Sequence, residues 1–416
     1  MYPHWLETWW VERALRNLGA PDLSAASARL ESEIQRLSDL FTTERETRFG
    51  EYGRDEGLLL AYGLFFFPQT FARSGFPVRE AIHPHGWRPS GGGGGPVRLL
   101  DLGCGLGGAT LGTAHALAEA FPGLSIEALA VDQSTASLDT LRELAAARPD
   151  GTGRLAVETA RGDLRTWFAK ENGGRRWDWI VASFTVGEAF YGQPAAAMAP
   201  WIDAAMDSLA DDGLLLILEP ALRETAERLE AARDRLAGEM DRFIWAPCPH
   251  SGPCPLLAEG SHWCHEVRRW APPESLVFLN RHLHRSIHDV KFSFLLTGNR
   301  APRRPWEGSD PARTARLVTP LRIRKGRYSW GGCAADGKRR DYEVQKRDTG
   351  EATAGVLAAT ARGDIVETGP GREIGRPPVF RLEGAEPPRN HSRPNGEGKI
   401  NFPHPERVPP ESPDFS

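Results

Sequence analysis

One run of the sequence, residues 97–132, limits the fold more than any other. Residues 97–101 form a short apolar run typical of a buried strand, and residues 125–132 form a second. Between them lie a glycine-rich turn and a segment, 108–120, with the composition of a buried helix. A strand, a turn, a helix and a second strand in that order predict two parallel strands joined by a crossover helix.

The same alternation continues downstream. Further strands are predicted at 155–158, 179–183 and 213–219, with a helix at 195–209 between the last two. Strands that alternate with helices imply a parallel sheet covered on both faces. We therefore predict an α/β fold with a Rossmann-like sheet, a helical N-terminal region and a cysteine-ligated, β-rich C-terminal region.

Composition shifts divide the chain. Apolar residues at helical spacing predict helices in the N-terminal region 1–89, one of them ending just before Pro68, and the glycine run from 91 predicts a linker. The remaining predicted regions are the core at 96–240, a cysteine loop and the end of the core at 241–300, a basic hairpin region at 313–350, and a disordered tail at 384–416, where aliphatic residues are almost absent.

Charge and cysteine usage bear on the functional class. The net charge of -4 over 416 residues gives no global sign of nucleic-acid binding, so such binding would depend on local patches. Three of the five cysteines cluster within residues 248–264, unlike a secreted disulfide framework. The N-terminus resembles no signal peptide and no long apolar run occurs, so we expect a cytoplasmic protein without a membrane segment. We also expect a monomer.

The turn after the first strand carries a candidate nucleotide site. Asp101 ends the strand, and Gly103, Gly105 and Gly107 follow it, so the backbone can pass close to a ligand beside free N–H groups of the next helix. Asp132 ends the second strand, where a carboxylate can hold ribose hydroxyls. A nucleotide-type fold that no longer binds a cofactor is the alternative.

The order Asp-Leu-Gly-Cys-Gly-Leu-Gly in residues 101–107 resembles the first motif of class I S-adenosylmethionine methyltransferases. The resemblance implies that the three glycines line the methionine and ribose parts of the cofactor. It also implies that Asp132 holds the ribose hydroxyls and that Asp163 lies at the adenine. Cys104 is expected to be a small buried residue in this turn.

No catalytic residue can be assigned. Where methyltransferases that modify amino groups carry Asn or Asp followed by prolines and an aromatic residue, this chain has Ser183-Phe-Thr-Val-Gly-Glu188. Glu188 is the one acid near this position, and such an acid is more often solvated. Whether the chain is an enzyme is therefore left open.

The second candidate site is the proline-rich segment 245–265. Cys248 and Cys254 are separated by five residues and Cys254 and Cys264 by nine, unlike the short knuckles of structural zinc sites. With Cys333, which lies beside a predicted Asp-Gly hairpin turn, four thiolates suit a 4Fe-4S cluster. Two alternatives stay open, zinc with one histidine replacing a thiolate, or unligated thiols. The candidate histidines are His250, His262 and His265.

The combination of these features resembles a known family. A methyltransferase-like core, the cysteine–proline run at 246–256, the Trp-Cys-His at 263–265 and a basic segment around Cys333 are similar to the methyltransferase-like assembly factors of the small ribosomal subunit in bacteria and mitochondria. The likeness extends over roughly residues 43–347. It implies binding to the immature small subunit near its head, S-adenosylmethionine in the core, and a 4Fe-4S cluster on the four cysteines.

The segment around Cys333 is also where basic residues concentrate. Arginines at alternate strand positions share a face and could meet RNA phosphates, with Tyr328 and Trp330 available for stacking. The predicted RNA-binding residues are Arg322, Arg324, Arg327 and Arg339.

The sequence therefore predicts a ribosome-associated factor for small-subunit assembly or translation that binds 16S-type rRNA. One alternative is an active rRNA methyltransferase with a structural cluster. The other is a zinc-containing methyltransferase of a non-RNA substrate.

Overall fold

A computed structural model describes nearly all of the chain up to residue 392. The described residues are 1–42, 55–90, 95–149, 153–240, 242–260, 262–285, 288–375, 378–382 and 388–392. Most of the predicted glycine linker and most of the predicted tail lie outside these residues.

The core is an eight-stranded mixed sheet. Its order is β3-β2-β1-β4-β5-β8-β6, with β7 paired to β8. Strands β1 to β5 are parallel, and β8 runs antiparallel to its three neighbours, so the predicted α/β class is confirmed and the fully parallel arrangement is not. The strands are β1 Val97–Leu102, β2 Ser125–Asp132, β3 Arg154–Arg161, β4 Trp177–Ser183, β5 Leu209–Glu219, β6 Phe243–Ala246, β7 Glu266–Arg269 and β8 Asp289–Gly298.

Helices cover both faces of this sheet. Successive strand residues point to opposite sides, so Leu99 and Trp179 join one apolar core while Leu100 and Ile180 join the other. The helices that follow the linker are α5 Gly108–Ala120, α6 Thr135–Ala146, α7 Leu164–Lys170, α8 Val186–Ala189, α9 Ala199–Asp207, α10 Arg223–Glu239, α11 Pro255–Glu259 and α12 Glu274–His282. The strand order reverses between β1 and β4, and ligands of such sheets bind outside the carboxyl ends of strands at such a point.

The N-terminal helices pack on one face of the core. They are α1 His4–Leu18, α2 Leu23–Thr42, α3 Glu56–Ala61 and α4 Phe67–Ile82, with a π-helical turn at Tyr62–Phe66 between the last two. The predicted helix end before Pro68 is wrong, because Pro68 lies in the first turn of α4, where its missing N–H is tolerated. A Cβ at Gly112 of α5 would overlap the backbone of Phe71, so α4 and α5 lie in close contact.

A second eight-stranded sheet follows the core. Its order is β14-β15-β12-β11-β9-β13-β16, with β10 paired to β11. The elements are β9 Thr314–Leu317, β10 Arg322–Arg324, β11 Arg327–Ala334, β12 Arg339–Gln345, α13 Glu351–Ala359, β13 Ile365–Glu367, β14 Gly371–Ile374, β15 Val379–Leu382 and β16 Arg389–Asn390. This sheet extends beyond the predicted range 313–350. Of the predicted tail, residues 388–392 are described, and β16 pairs with β13 there.

The predicted hairpin joins β11 to β12. The N–H of Ala334 donates to the carbonyl of Lys338 over 2.8 Å, and Gly337 takes the left-handed φ of 82° that the turn requires. Trp330 is 4 % exposed and stacks on Tyr342 with 5.5 Å between ring centroids. The prediction that Trp330 is available for RNA stacking is therefore wrong, because its ring fills the core of this sheet.

Within the described ranges, no helix is both long and apolar enough to cross a membrane.

Candidate functional site

The glycine loop follows β1 at the switch point. Gly103, Gly105 and Gly107 have φ angles of 73°, 52° and 82°, a region that side chains with a Cβ rarely adopt. A Cβ at Gly103 would overlap Thr185 after β4, and one at Gly107 would overlap Leu141 of α6. The loop is thus confined on two sides and needs glycine at these positions.

Asp132 braces the loop from the end of β2. One carboxylate oxygen, Oδ2, accepts the N–H of Gly105 and the other, Oδ1, accepts the N–H of Ser134, each at 2.8 Å. The side chain is half-buried, and burial raises its pKa. Since a carboxylate oxygen has two lone pairs, Asp132 can still accept hydrogen bonds from ligand hydroxyls.

Asp101 lies fully buried beneath the loop. Thr110 Oγ1 donates to its Oδ2 over 2.5 Å, while Oδ1 is buried with no partner among the described residues. Burial, with the nearby charge of Asp132, raises the pKa of Asp101 to about 7. Asp101 therefore supports the loop from below, and Cys104 beside it is buried as predicted.

Asp163 joins this edge from the end of β3. The preceding residue, Gly162, donates its N–H to the backbone carbonyl of Asp132 over 3.1 Å. Asp163 caps α7 by accepting the N–H of Arg165, and its hydrogen bonds to the Arg165 side chain lower its pKa. The structure thus places all six predicted cofactor-binding residues around one edge of the sheet.

Other polar groups at this edge were not predicted. Glu219 ends β5, is 3 % exposed, and accepts the N–H of Gly187 over 2.7 Å. Its position at the end of an apolar strand was the available signal. Glu188 is exposed on α8, and the geometry assigns no proton acceptor for catalysis.

The four predicted cysteine ligands come from separate elements. Cys248 follows β6, Cys254 precedes α11, Cys264 precedes β7 and Cys333 lies in β11; none is in a disulfide. Cys248, Cys254 and Cys264 line one cavity, and Cys333 packs with Cys254 and Cys264 in an apolar cluster. The structure therefore brings together thiols that are distant in sequence.

The thiols influence one another electrostatically. Burial, together with neighbouring Cys248, raises the pKa of Cys254 to about 12. Burial also raises the pKa values of Cys264 and Cys333 strongly, and each of these shifts includes contributions from other cysteines of the group. Without a compensating positive ion, Cys254, Cys264 and Cys333 would remain protonated near neutral pH.

Side chains of α10 hold the cysteine loop. The N–H of Cys254 donates to both carboxylate oxygens of Asp234 at 3.0 Å, and the N–H of Cys264 donates to Glu230 at 2.6 Å. Arg233, 2 % exposed, donates to the backbone carbonyl oxygens of Gly252 and His250.

A second arginine holds the loop from the other side. Arg304 donates to the backbone carbonyls of Pro249 and Ile244 at 2.6 and 3.1 Å. Prolines leave carbonyls without nearby N–H donors, and Arg233 and Arg304 supply donors for some of them.

The candidate histidines have different surroundings. His250 is 4 % exposed and lies against the hairpin turn, 3.7 Å from where a Cβ of Gly337 would be. Burial, with Arg233 and Arg304, lowers the pKa of His250 to about 4. Burial and Arg362 lower that of His265 to about 4, and His262 is exposed. Over the described ranges, no set of three or more His, Cys, Asp or Glu residues forms a ready metal site, so iron–sulfur and zinc ligation both stay predictions.

A buried ion-pair network joins the cysteine region to its neighbours. Arg316 of β9, which pairs with Cys333 in the sheet, is 2 % exposed. It contacts Glu80 of α4 at 2.6 Å and Glu266 of β7 at 3.0 Å. Arg268 extends the network to Asp364 at 3.2 Å. This one network connects the N-terminal helices, the cysteine segment and the second sheet.

The predicted RNA-binding arginines differ in whether an acidic residue of the same chain pairs with them. Arg322 and Arg324 are exposed on β10 and form no ion pair within the described part of the chain. Arg327 pairs with Glu343 at 3.2 Å, and Arg339 lies within 3.8 Å of Glu259. The arginines of β10 are therefore the better candidates for phosphate contact.

Comparison with known proteins gave one family match. Residues 93–364, about two thirds of the chain, match the family model described as "Mitochondrial small ribosomal subunit Rsm22". No curated protein matched.

Solved structures gave weaker likenesses. The plantazolicin methyltransferase BpumL, solved with a substrate analogue and SAH, is 11% identical over 67% of this chain and 99% of its own, with a TM-score of 0.33. Loganic acid methyltransferase with SAH is 10% identical over 56% and 94%, with a TM-score of 0.32. A SAM-dependent methyltransferase from Leishmania major is 13% identical over 64% and 82%, with a TM-score of 0.33. Scores this low support no argument about shared function.

The family match, by contrast, covers the core, the cysteine loop and the hairpin. The chain belongs to the Rsm22 family of the mitochondrial small ribosomal subunit. The predicted resemblance to a small-subunit assembly family is confirmed at that level.

Proposed function

We propose that this member of the Rsm22 family acts in assembly or translation of the small ribosomal subunit. It binds rRNA through a methyltransferase-like core and a C-terminal region that a 4Fe-4S cluster stabilises. The observation that carries the proposal is the convergence of Cys248, Cys254, Cys264 and Cys333 from two regions that the chain keeps far apart.

The surroundings of the four thiols fit a cluster. One thiolate per iron is what a 4Fe-4S cubane takes from its protein. The positive charges of Arg233 and Arg304 act on Cys248, which favours a negatively charged centre. When bound, the cluster would supply a covalent crosslink between the loop and β11. Ligand-dependent folding of this kind makes metal binding part of the folding free energy.

The glycine loop fits S-adenosylmethionine. The loop leads directly into the N-terminus of α5, and Asp132 is held by two N–H groups with acceptor capacity to spare. Asp132 would hold the ribose hydroxyls, and Asp163 lies beside it at the end of β3. These residues bind and orient the cofactor.

The rRNA contact is assigned to the tip formed by β10 and the start of β11. Arg322 and Arg324 lie at alternate positions of an exposed strand, and Arg324 lies opposite Arg327. Lys346 lies over the ring of Tyr328, 5.4 Å from its centroid. This concentration of positive charge suits phosphate contacts.

The deciding experiment is metal analysis with an absorbance spectrum on protein purified without oxygen. We expect about four irons per chain and broad visible absorbance. Cys254→Ser should lose both and weaken binding to small subunits in a sedimentation assay. Cys104→Ser, a buried cysteine outside the group, is the matched control. Unchanged iron in Cys254→Ser would refute the cluster, and one zinc without iron and without co-sedimentation would favour a methyltransferase of another substrate.

A second candidate function, methylation of small-subunit rRNA, is favoured by the intact cofactor geometry around Asp132. It predicts transfer of labelled methyl groups to rRNA by the natural protein and loss of transfer in Asp132→Ala. If the protein binds small subunits but transfers no methyl group, only the assembly role is supported.

The compartment is a separate question. The sequence predicts the cytoplasm, whereas the family description names the mitochondrial subunit. The location of this chain stays a prediction that cell fractionation tests.

A further inference from the structure

Arg73 of α4 carries its charge on a half-buried side chain. Its Nε is buried without a hydrogen-bond partner, and its guanidinium donates to Gln69 over 3.1 Å. No carboxylate within the described ranges forms an ion pair with it. Burial lowers its pKa to about 10, so the side chain stays positively charged near neutral pH. A half-buried cation without a carboxylate is suited to receive an anion.

The position of Arg73 connects it to the glycine loop. Its guanidinium carbon lies 5.3 Å from the ring centroid of Phe184, just after β4. Phe184 has a φ of 59°, which is unusual for a residue with a large side chain. The next residue, Thr185, contacts Gly103, and Thr70, one turn before Arg73, contacts Gly108 at the start of α5.

The π-helical turn before α4 contributes to the same place. Tyr62 begins this turn, and burial raises its pKa to about 12, partly offset by a hydrogen bond to Thr70. Arg73, Asp101 and Glu188 are near enough to influence Tyr62. Single π-helical turns occur often at functional sites, where they redirect side chains. The N-terminal helices therefore place polar groups at the switch point.

An anionic ligand at this edge of the sheet needs a nearby cation, because the strand ends carry acidic side chains. Asp132 and Glu219 lie at the ends of β2 and β5, and their carboxylates would repel a ligand carboxylate. Arg73 of α4 lies beside Phe184, the residue that follows β4 at the same edge. The fork of a guanidinium matches the two oxygens of a carboxylate.

We infer that the N-terminal helices complete the cofactor site and that Arg73 binds the carboxylate at the amino-acid end of S-adenosylmethionine. This assignment rests on the proposed binding of that cofactor. It goes beyond the family match, which begins at residue 93 and does not include α4.

Calorimetric titration of the full chain with two probes tests the assignment. S-adenosylhomocysteine carries the carboxylate, and 5′-methylthioadenosine lacks the amino-acid end. Arg73→Ala should bind S-adenosylhomocysteine about 10- to 100-fold more weakly, because a charge-assisted bidentate contact is lost. Its affinity for 5′-methylthioadenosine should be unchanged. Arg73→Lys, which keeps the charge and loses the fork, should give an intermediate loss for the first probe.

The control is Arg79→Ala on the same helix, whose side chain is half-exposed and pairs with Glu119 at 2.7 Å. It should change neither affinity. Equal binding of S-adenosylhomocysteine by Arg73→Ala and the natural protein would overturn the assignment, as would equal weakening of both probes. If the natural protein binds neither probe, the proposed cofactor itself is wrong, and that result differs from either outcome for Arg73.

Discussion

The glycine-loop site and the cysteine site are built in opposite ways. The first takes most of its residues from two adjacent parallel strands and the turn between them. The second takes three thiols from a proline-rich loop and one from a strand in another sheet. Glycine conformations and the Asp132 carboxylate at the end of the next strand fix the first. Hydrogen bonds to backbone groups fix the second, from side chains that lie outside the cysteine loop: Asp234, Glu230, Arg233 and Arg304.

The difference has a consequence for stability. The glycine loop is confined by packing against Thr185 and Leu141, which belong to the same domain core. The cysteine site joins the core sheet to the second sheet. The ion-pair network around Arg316 also links the second sheet to the core. We therefore expect substitutions in the cysteine site to weaken the packing of the second sheet against the core. Substitutions in the glycine loop should disturb only the residues around that loop.

The largest expected effect is that of Cys333→Ser. Loss of the fourth thiolate should remove iron and loosen β11 against the cysteine loop, because the crosslink is part of the folding free energy. Hydrogen exchange should speed up in residues 246–265 and 327–345 and change little in residues 97–132. Uniform acceleration throughout the core would contradict the separation of the two sites.

Arg316→Met should have the second largest effect, a loss in the free energy of unfolding. Removing Arg316 leaves Glu80 with Arg268 at 3.9 Å and Glu266 with Arg268 at 2.8 Å, and loss of this buried partner should destabilise the protein by about 3–5 kcal/mol. Urea unfolding measures this loss. Arg300→Ala is the control, since Arg300 is 58% exposed in its pairs with Asp211 and Asp212 and should change stability by about 0–1 kcal/mol.

The same network predicts acid sensitivity. Burial alone would raise the pKa of Glu80, but Arg316 lowers it to about 2. Because the folded-state pKa lies below the unfolded one, this stabilisation is complete above about pH 4.5 and is lost as the pH falls toward 2. The acid-dependent loss should be smaller in Arg316→Met, and an identical pH profile in both proteins would refute the assignment.

Asp101→Asn tests the carboxyl beneath the glycine loop, whose contribution to stability changes with pH in the opposite direction to that of Glu80. The folded-state pKa of Asp101 is raised to about 7, so the folded state binds the proton more tightly and stability falls as the pH rises from about 4 to 7. The amide keeps an acceptor for Thr110 and cannot ionise. Asp101→Asn should therefore be more stable than the natural protein at pH 8, by up to about 4 kcal/mol, and should lose this advantage at pH 4.

Asp211→Asn, whose side chain is 90% exposed, should show no such pH dependence. A Tm difference between Asp101→Asn and the natural protein that is the same at both pH values would rule out the buried carboxyl as its cause.

The smallest effect is expected at the β10 tip. Arg324→Ala should weaken binding to small-subunit rRNA a few-fold and lower the salt dependence of log Kd by roughly one phosphate contact. Filter binding at several salt concentrations measures both. Arg175→Ala, at an exposed position in the loop before β4, is the control and should leave the dependence of log Kd on salt unchanged. An equal effect of the two substitutions would refute a specific RNA contact at the β10 tip.

The sequence by itself determined the local parts. The run 97–132 determined β1, the glycine turn, α5 and β2, because apolar periodicity and glycine act over a few residues. The same logic located the hairpin at Gly337. It failed at Pro68, where a π-helical turn lets the chain remain helical, and at Trp330, whose ring is buried by strands distant in sequence.

Only the tertiary structure decided which distant groups meet. The sequence suggested Cys333 as a fourth partner, but its place beside Cys254 and Cys264 depends on how the second sheet packs against the core. The pairing of Arg316 with Glu80, and the position of Arg73 beside Phe184, had no sequence signal. Contacts across hundreds of residues arise from the packing of whole elements, which no local pattern encodes.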